Sequence, residues 1–169
     1  MPKVSGAIGA FNVHVNGTEI ESVSGVTTPD IEIPATEVSG AGIMGTFSMP
    51  NFGQVSAMTF AITAPGAGAQ RAALMASGQV SIEVRAARNV RAVDGTLIAE
   101  GTKYFATGYF KKVSGGDLTV GGRPEDKYEY SVSRFREVVD GREVLLIDQL
   151  RGIYQVDGKD VMESFRQML

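Results

Sequence analysis

The chain has 169 residues, 43% of them hydrophobic and 21% charged, with a net charge of −3. That length suits one domain, able to bury roughly 70% of the surface its unfolded form exposes. The absence of cysteine excludes disulfides, thiolate metal sites and a thiol nucleophile, and an acidic pI near 5.2 argues against a protein whose main work is gripping phosphates.

In chain order, Phe11 to Asn16 alternates Phe11, Val13 and Val15 against Asn12, His14 and Asn16, the pattern of a strand with one buried face. Asn16-Gly17 turns the chain and Glu19 to Val23 forms the partner strand; the sequon Asn16-Gly17-Thr18 is read as this turn. Pro29 interrupts, and Asp30 to Ile33 is expected to form a further short strand. Gly40-Ala41-Gly42-Ile43-Met44-Gly45 spells the dinucleotide-binding pattern, which requires a strand before it and a helix after it. The next residues, Thr46 to Pro50, are β-like and end at a proline, so the segment is read as a Gly-rich arm between extended pieces. Ile43, Met44 and Phe47 on such an arm suit an interface between subunits.

Val55 to Thr63 alternates again, and Ala69 to Ser77 has helical composition with Gly78 as a C-terminal cap. The cleanest period-two run comes next, with Val80, Ile82, Val84 and Ala86 opposite Ser81, Glu83, Arg85 and Ala87. Arg85, Arg88 and Arg91 lack interleaved aromatics, which favours a solvated or subunit-facing strand over a nucleic-acid stripe. Asp94-Gly95 turns into a strand from Leu97 to Val113, and a glycine-rich loop runs to Pro124, with room for a short strand at Leu118 to Val120. Lys127 to Leu169 contains two long extended runs around Asp140-Gly141, a second Asp157-Gly158, and a tail whose Val161, Met162, Phe165 and Leu169 have helical spacing. Eight or nine strands and one or two short helices predict an antiparallel sandwich or barrel in one domain over residues 1–169.

No constellation for catalysis emerges. His14 is the one histidine, with no second His or Cys to share a metal. Glu125-Asp126 reads as a solvated pair in a Gly-rich loop, and mid-strand Asp148 must face solvent or a lumen, or pair with Arg151 or Arg134. Neither enzyme activity, a cofactor nor a metal is expected. There is no basic segment leading into an apolar run, and no stretch of 18 apolar residues, so neither a signal peptide nor membrane insertion is expected.

The last third carries a recognisable pattern. Phe135, Arg136, Asp140, Gly141, Arg142, Glu143, Val144, Leu145, Ile147 and Asp148, then Val156, Asp157, Gly158 and Asp160, resemble the closing hairpin of the major tail tube protein of contractile-tailed bacteriophages. Asn12, Val13, Val15, Asn16, Gly17, Val26, Thr27 and Pro29 resemble the opening of that family, while the mid-chain helical region is shorter than the family's. The resemblance implies a β protein that assembles into hexameric rings stacked as the inner tube of a contractile tail. Such a tube conducts DNA in a phage, or perforates a membrane in a bacteriocin particle. Implied partners are further copies of the chain, the contractile sheath, baseplate and tail terminator proteins, a tape measure protein, and DNA passing without sequence-specific contact. The implied location is a virion tail or bacteriocin particle assembled in the bacterial cytoplasm.

The resemblance also marks an assembly arm over about residues 35–53, with Gly40, Ala41, Gly42, Ile43, Met44, Gly45 and Phe47 at the subunit or ring interface. Asp140, Gly141, Asp157 and Gly158 are the motif positions. The competing reading is a β-sandwich carbohydrate-binding or adhesin-type module, for which Tyr104, Tyr109 and Phe110 are the candidate groove.

Overall fold

A computed structural model describes residues 3–66 and 68–169. Twelve strands and two short helices are found there. In chain order they are β1 (Val4–Val15), β2 (Thr18–Ile20), β3 (Gly25–Thr27), β4 (Ala35–Val38), β5 (Phe47–Pro50), β6 (Met58–Pro65), α1 (Gln70–Leu74), β7 (Gln79–Arg91), β8 (Leu97–Ser114), β9 (Glu125–Val139), β10 (Arg142–Asp148), β11 (Ile153–Val156), β12 (Lys159–Asp160) and α2 (Glu163–Arg166). Ten strands form one antiparallel sheet in the order β12-β11-β10-β9-β8-β7-β1-β2, with β6 paired to β9 and β3 to β6. β4 and β5 form a separate hairpin.

The expected faces are the observed ones. Val80, Ile82 and Val84 are buried while Ser81 and Arg85 are exposed, and Met58, Phe60 and Ile62 are likewise buried. The sheet curls about a single core to which β1, β2, β6, β7, β9 and β10 contribute, among them Val13, Val15, Phe60, Ile82, Tyr128, Tyr130 and Ile147. Phe110 meets Tyr130 edge-on at 6.0 Å, and the Tyr130 hydroxyl donates to the Leu74 carbonyl at 2.5 Å. That bond seats α1 over one end of the core. Burial raises the Tyr130 hydroxyl far above the usual phenol pKa, so it remains a donor.

The long strands meet at a junction built on one bulge. β8 has 18 residues and β9 has 15, against a usual length of about five or six. Arg134 pairs with Thr107 and Val132 with Gly108, leaving Ser133 without a partner on β8. The extra residue flips the buried parity of β9, from Tyr128, Tyr130 and Val132 to Phe135. At the same place the other edge of β9 passes from β6, which ends its pairing at Val132, to β10, which begins at Arg134. Glycine at position 108 lets the backbones close: a Cβ there would lie 2.0 Å from the Ser131 carbonyl oxygen.

Several expectations are corrected. Asp30 to Ile33 is extended but pairs with no strand, because Pro29 and Pro34 bracket it and contribute no N–H. The helix expected over Ala69–Ser77 is the five-residue α1, and Leu118 to Val120 is loop. The second run of the closing hairpin breaks at Gln149–Gly152 because Asp148 turns the chain: its buried carboxylate accepts from the Leu150 and Arg151 amides at 3.2 and 3.1 Å. The Arg151 guanidinium stands 3.8 Å away. The tail helix is four residues long and buries nothing, so Phe165, Met168 and Leu169 stay exposed instead of packing behind the ribbon.

Candidate assembly surfaces

The arm lies apart from the sheet. β4 and β5 pair from Ala35↔Pro50 to Val38↔Phe47 and with no other strand among the described residues. Asn51 pins the base, its amide donating to the Pro34 carbonyl at 2.8 Å and its side chain to Thr36 Oγ1 at 3.0 Å. Gly42 and Gly45 adopt φ of +88° and +96° at the tip, the backbone for which glycine is suited. All seven expected interface residues, Gly40, Ala41, Gly42, Ile43, Met44, Gly45 and Phe47, are exposed, and Met44 is fully so at 104%. An isolated two-stranded hairpin is marginal in water, and its exposed Ile43, Met44, Phe47 and Met49 are the kind of apolar surface that marks an interface.

The four motif positions are brought together at one end of the sheet. Asp140-Gly141 and Asp157-Gly158 both take positive φ at both residues, 47° and 76°, then 51° and 78°, as type I′ hairpin turns require. Arg142 links the two turns through Asp157 at 2.5 Å. The Asp140 amide donates to the Gly101 carbonyl at 2.9 Å, and its carboxylate accepts from the Gly101 amide at 3.2 Å. These positions therefore shape backbone.

A third surface was not legible as such in the sequence. Residues 4–10 of β1, 87–91 of β7 and 97–101 of β8 form a three-stranded ribbon projecting beyond the core, with Val4, Ile8, Leu97 and Ile98 exposed. Both outer edges, β1 on one side and the first residues of β8 on the other, have no strand partner among the described residues. Two bulges interrupt the β1 edge.

The outward face of the sheet is largely polar, and several of its charges are paired, although Lys103 and Arg134 on it have no ion-pair partner among the described residues. Arg85 Nε donates to Glu83 at 2.7 Å, Lys127 stands 3.7 Å from Glu129, and Arg136 donates to Glu143 at 2.5 Å while covering the Phe105 ring at 5.4 Å. On the other face, in the parity of buried Val84 and Val90, Arg88 pairs with Glu100. Arg85 and Arg88 thus each have a carboxylate partner, and they lie on opposite faces of β7 and form no single stripe. His14 sits on the outward face, cross-strand from Glu19 and Glu83, and its buried Nδ1 has no hydrogen-bond partner among the described residues. No group of three metal-ligating side chains occurs among the described residues.

The hydrogen bond from Arg85 holds the Glu83 carboxyl below the usual carboxylate range. A depressed folded-state pKa stabilises the fold above the unfolded value and loses that contribution as pH falls through the folded one. Glu83→Gln is therefore expected to flatten the acid side of a melting-temperature profile, slightly, since the pair is half-exposed. An unchanged slope below about pH 4.5 would remove the pair from the stability of the sheet.

Glu125-Asp126 is the clearest departure from expectation. Glu125 is exposed, but Asp126 is buried, and its carboxylate accepts from Arg71 at 3.1 Å, the Gly116 amide at 2.9 Å and the Tyr128 hydroxyl at 3.4 Å. It ties α1, the 115–124 loop and β9 together. The aromatic groove of the binding-module reading also fails to form. Tyr104 stacks on Phe135 at 6.2 Å, Phe110 is held against Tyr130, and only Tyr109 is largely exposed.

The chain matches the family described as Phage tail tube protein FII over residues 6–169. The chain belongs to that family. No curated protein matches it. Among solved structures, a chain of an extracellular contractile injection system, the PVC sheath-tube complex in the extended state, superposes with a TM-score of 0.52 at 14% identity, covering 76% of this chain and 87% of that one. A chain of the anti-feeding prophage cap, described as a tube terminating cap, gives 0.51 at 15% identity, with 76% and 87% covered. At those identities the likeness is one of fold. Family membership makes this tail tube protein a structural component of a tail or particle.

Proposed function

We propose that copies of this tail tube protein close into hexameric rings that stack into a hollow inner tube. The observation that carries this is the projecting ribbon, whose two unpaired edges and exposed Val4, Ile8, Leu97 and Ile98 are a liability in a monomer. Pairing one edge with the opposite edge of the next copy removes it, and a rotation that closes leaves no free edge. The polar outward face then lines the lumen. With Arg85, Lys127 and Arg136 paired to carboxylates of the same chain, it offers DNA, or the contents of a particle without a genome, fewer free cations to be held by. The tube would sit inside a contractile sheath, on a baseplate, with a terminator at its far end, and form around a tape measure protein. The similarity in fold to chains of a sheath-tube complex and a tube cap supports those partners. Assembly in the bacterial cytoplasm and the assignment of the whole chain to one tube domain, with an arm at about 35–53, belong to the same reading.

Negative-stain electron microscopy of the purified protein, with its solution mass, tests this. Rings or tubes with a central hole are expected. A monodisperse monomer at the highest attainable concentration would overturn the self-assembling reading.

A further inference from the structure

The geometry points to an acceptor for the arm: the hollow between the base of the arm and the β10–β11 turn of a neighbouring copy receives the Ile43-Met44 tip. This deepens the tube reading and rests on it. The hollow has a volume of about 420 Å³ and is lined by Phe52, Val55, Ile147, Ile153, Tyr154 and Met162, among others. Its walls are fixed to each other by Gln149, whose side-chain amide donates to the Val55 and Ser56 carbonyls at 3.0 and 3.2 Å. Among the described residues lining it, Asp148 alone is charged, and that carboxylate is occupied by the Leu150 and Arg151 amides.

The donor is matched to it in charge. No charged side chain occurs anywhere from Val38 through Gln70, so the tip desolvates without leaving an ion unpaired. Three other hollows are less suitable for such a segment: one is lined by Arg85 and Lys103, one by Glu21, Arg71 and Arg123, and one by Asp30, Lys127 and Glu129. A fourth, among Ile8, Phe11, Val26, Val84 and Tyr104, is uncharged but holds about 230 Å³.

A chain cannot fill its own hollow. Pro34, Phe52 and Gly53 line it at the root of the arm, while the ladder from Ala35↔Pro50 to Val38↔Phe47 separates the tip from that root, by about 10 Å over the ladder alone at the usual rise per residue. Donor and acceptor therefore lie on different copies. One knob and one unlike hole per chain make a head-to-tail contact that repeats through every copy.

Because the chain has no cysteine, single-cysteine variants report contacts between chains without background. Met44→Cys carries the probe at the tip, Gly53→Cys at the hollow, where an added Cβ meets nothing within 4 Å, and Met168→Cys on the exposed C-terminal tail. Assembled mixtures are oxidised and the linked peptides identified by mass. The Met44→Cys and Gly53→Cys mixture is expected to yield the 44–53 link at least tenfold above the 53–168 link of the Gly53→Cys and Met168→Cys mixture. Rings or tubes in which position 53 links to 168, or to neither, would overturn the docking and leave the tube reading standing. No assembly and no link at any concentration would remove both.

Discussion

Gly108→Ala is expected to destabilise the protein by at least about 3 kcal/mol, near the upper end of what overpacking a well-packed site costs. The added methyl would lie 2.0 Å from the Ser131 carbonyl oxygen and 2.8 Å from both the Ser131 carbonyl carbon and Val132 Cα. Those are backbone atoms of β9 where it pairs with β8, the two longest strands of the sheet, beside the Ser133 bulge where β9 changes partner from β6 to β10. Relief requires moving a ladder that is paired on both edges, so no rotamer change can absorb the clash. The control is Gly101→Ala in the same strand, where an added Cβ meets nothing within 4 Å and a change of under about 1 kcal/mol is expected. Urea unfolding of the two variants measures the difference. Equal midpoints would show that the bulge is not fixed by the absence of a side chain at position 108.

Asp126→Ala is expected to cost about 3 kcal/mol, the combined effect of leaving buried donors unpaired. The carboxylate is the common acceptor for Arg71 of α1, the Gly116 amide of the loop and the Tyr128 hydroxyl. Arg71 is half-exposed and recovers water when its partner goes; the Gly116 amide, packed against the backbone of Glu125, and the buried Tyr128 hydroxyl recover less. Protection against amide exchange should fall first in α1 and the 115–124 loop, before the β7–β8 ladder loosens. Arg71→Ala, which removes only the half-exposed member, is expected to cost under half as much. If it matches Asp126→Ala, the ion pair outweighs the two neutral donors, and Asp126 stabilises α1 chiefly through charge.

Much of the strand pattern arose from local chemistry. Period-two alternation located β1, β6 and β7, because a pleated strand sends successive side chains to opposite sides. The Asp-Gly and Asn-Gly pairs located the turns, since few other residues accept positive φ in succession. The Gly-rich segment at 40–45 was recognisable as an exposed arm because its flanks lacked the strand-then-helix context of a nucleotide site.

What alternation could not reveal was the third dimension. The Ser133 bulge reverses parity within one strand, and it arises from the requirement that β9 serve two partners along one edge. Asp126, beside Glu125 in a polar stretch, has the local sequence of a solvated acid; only the approach of Arg71, far along the chain, makes its burial tolerable. Asp148 likewise took its role from a turn that the surrounding extended pattern concealed. Composition and spacing determined a β protein made of long ribbons with a loose arm, because those properties reside in neighbouring residues. The open edges and the uncharged hollow at the arm's root were decided by tertiary structure, because an unpaired edge and a concave surface are properties of what lies beside a strand in space, which no residue carries in its own type.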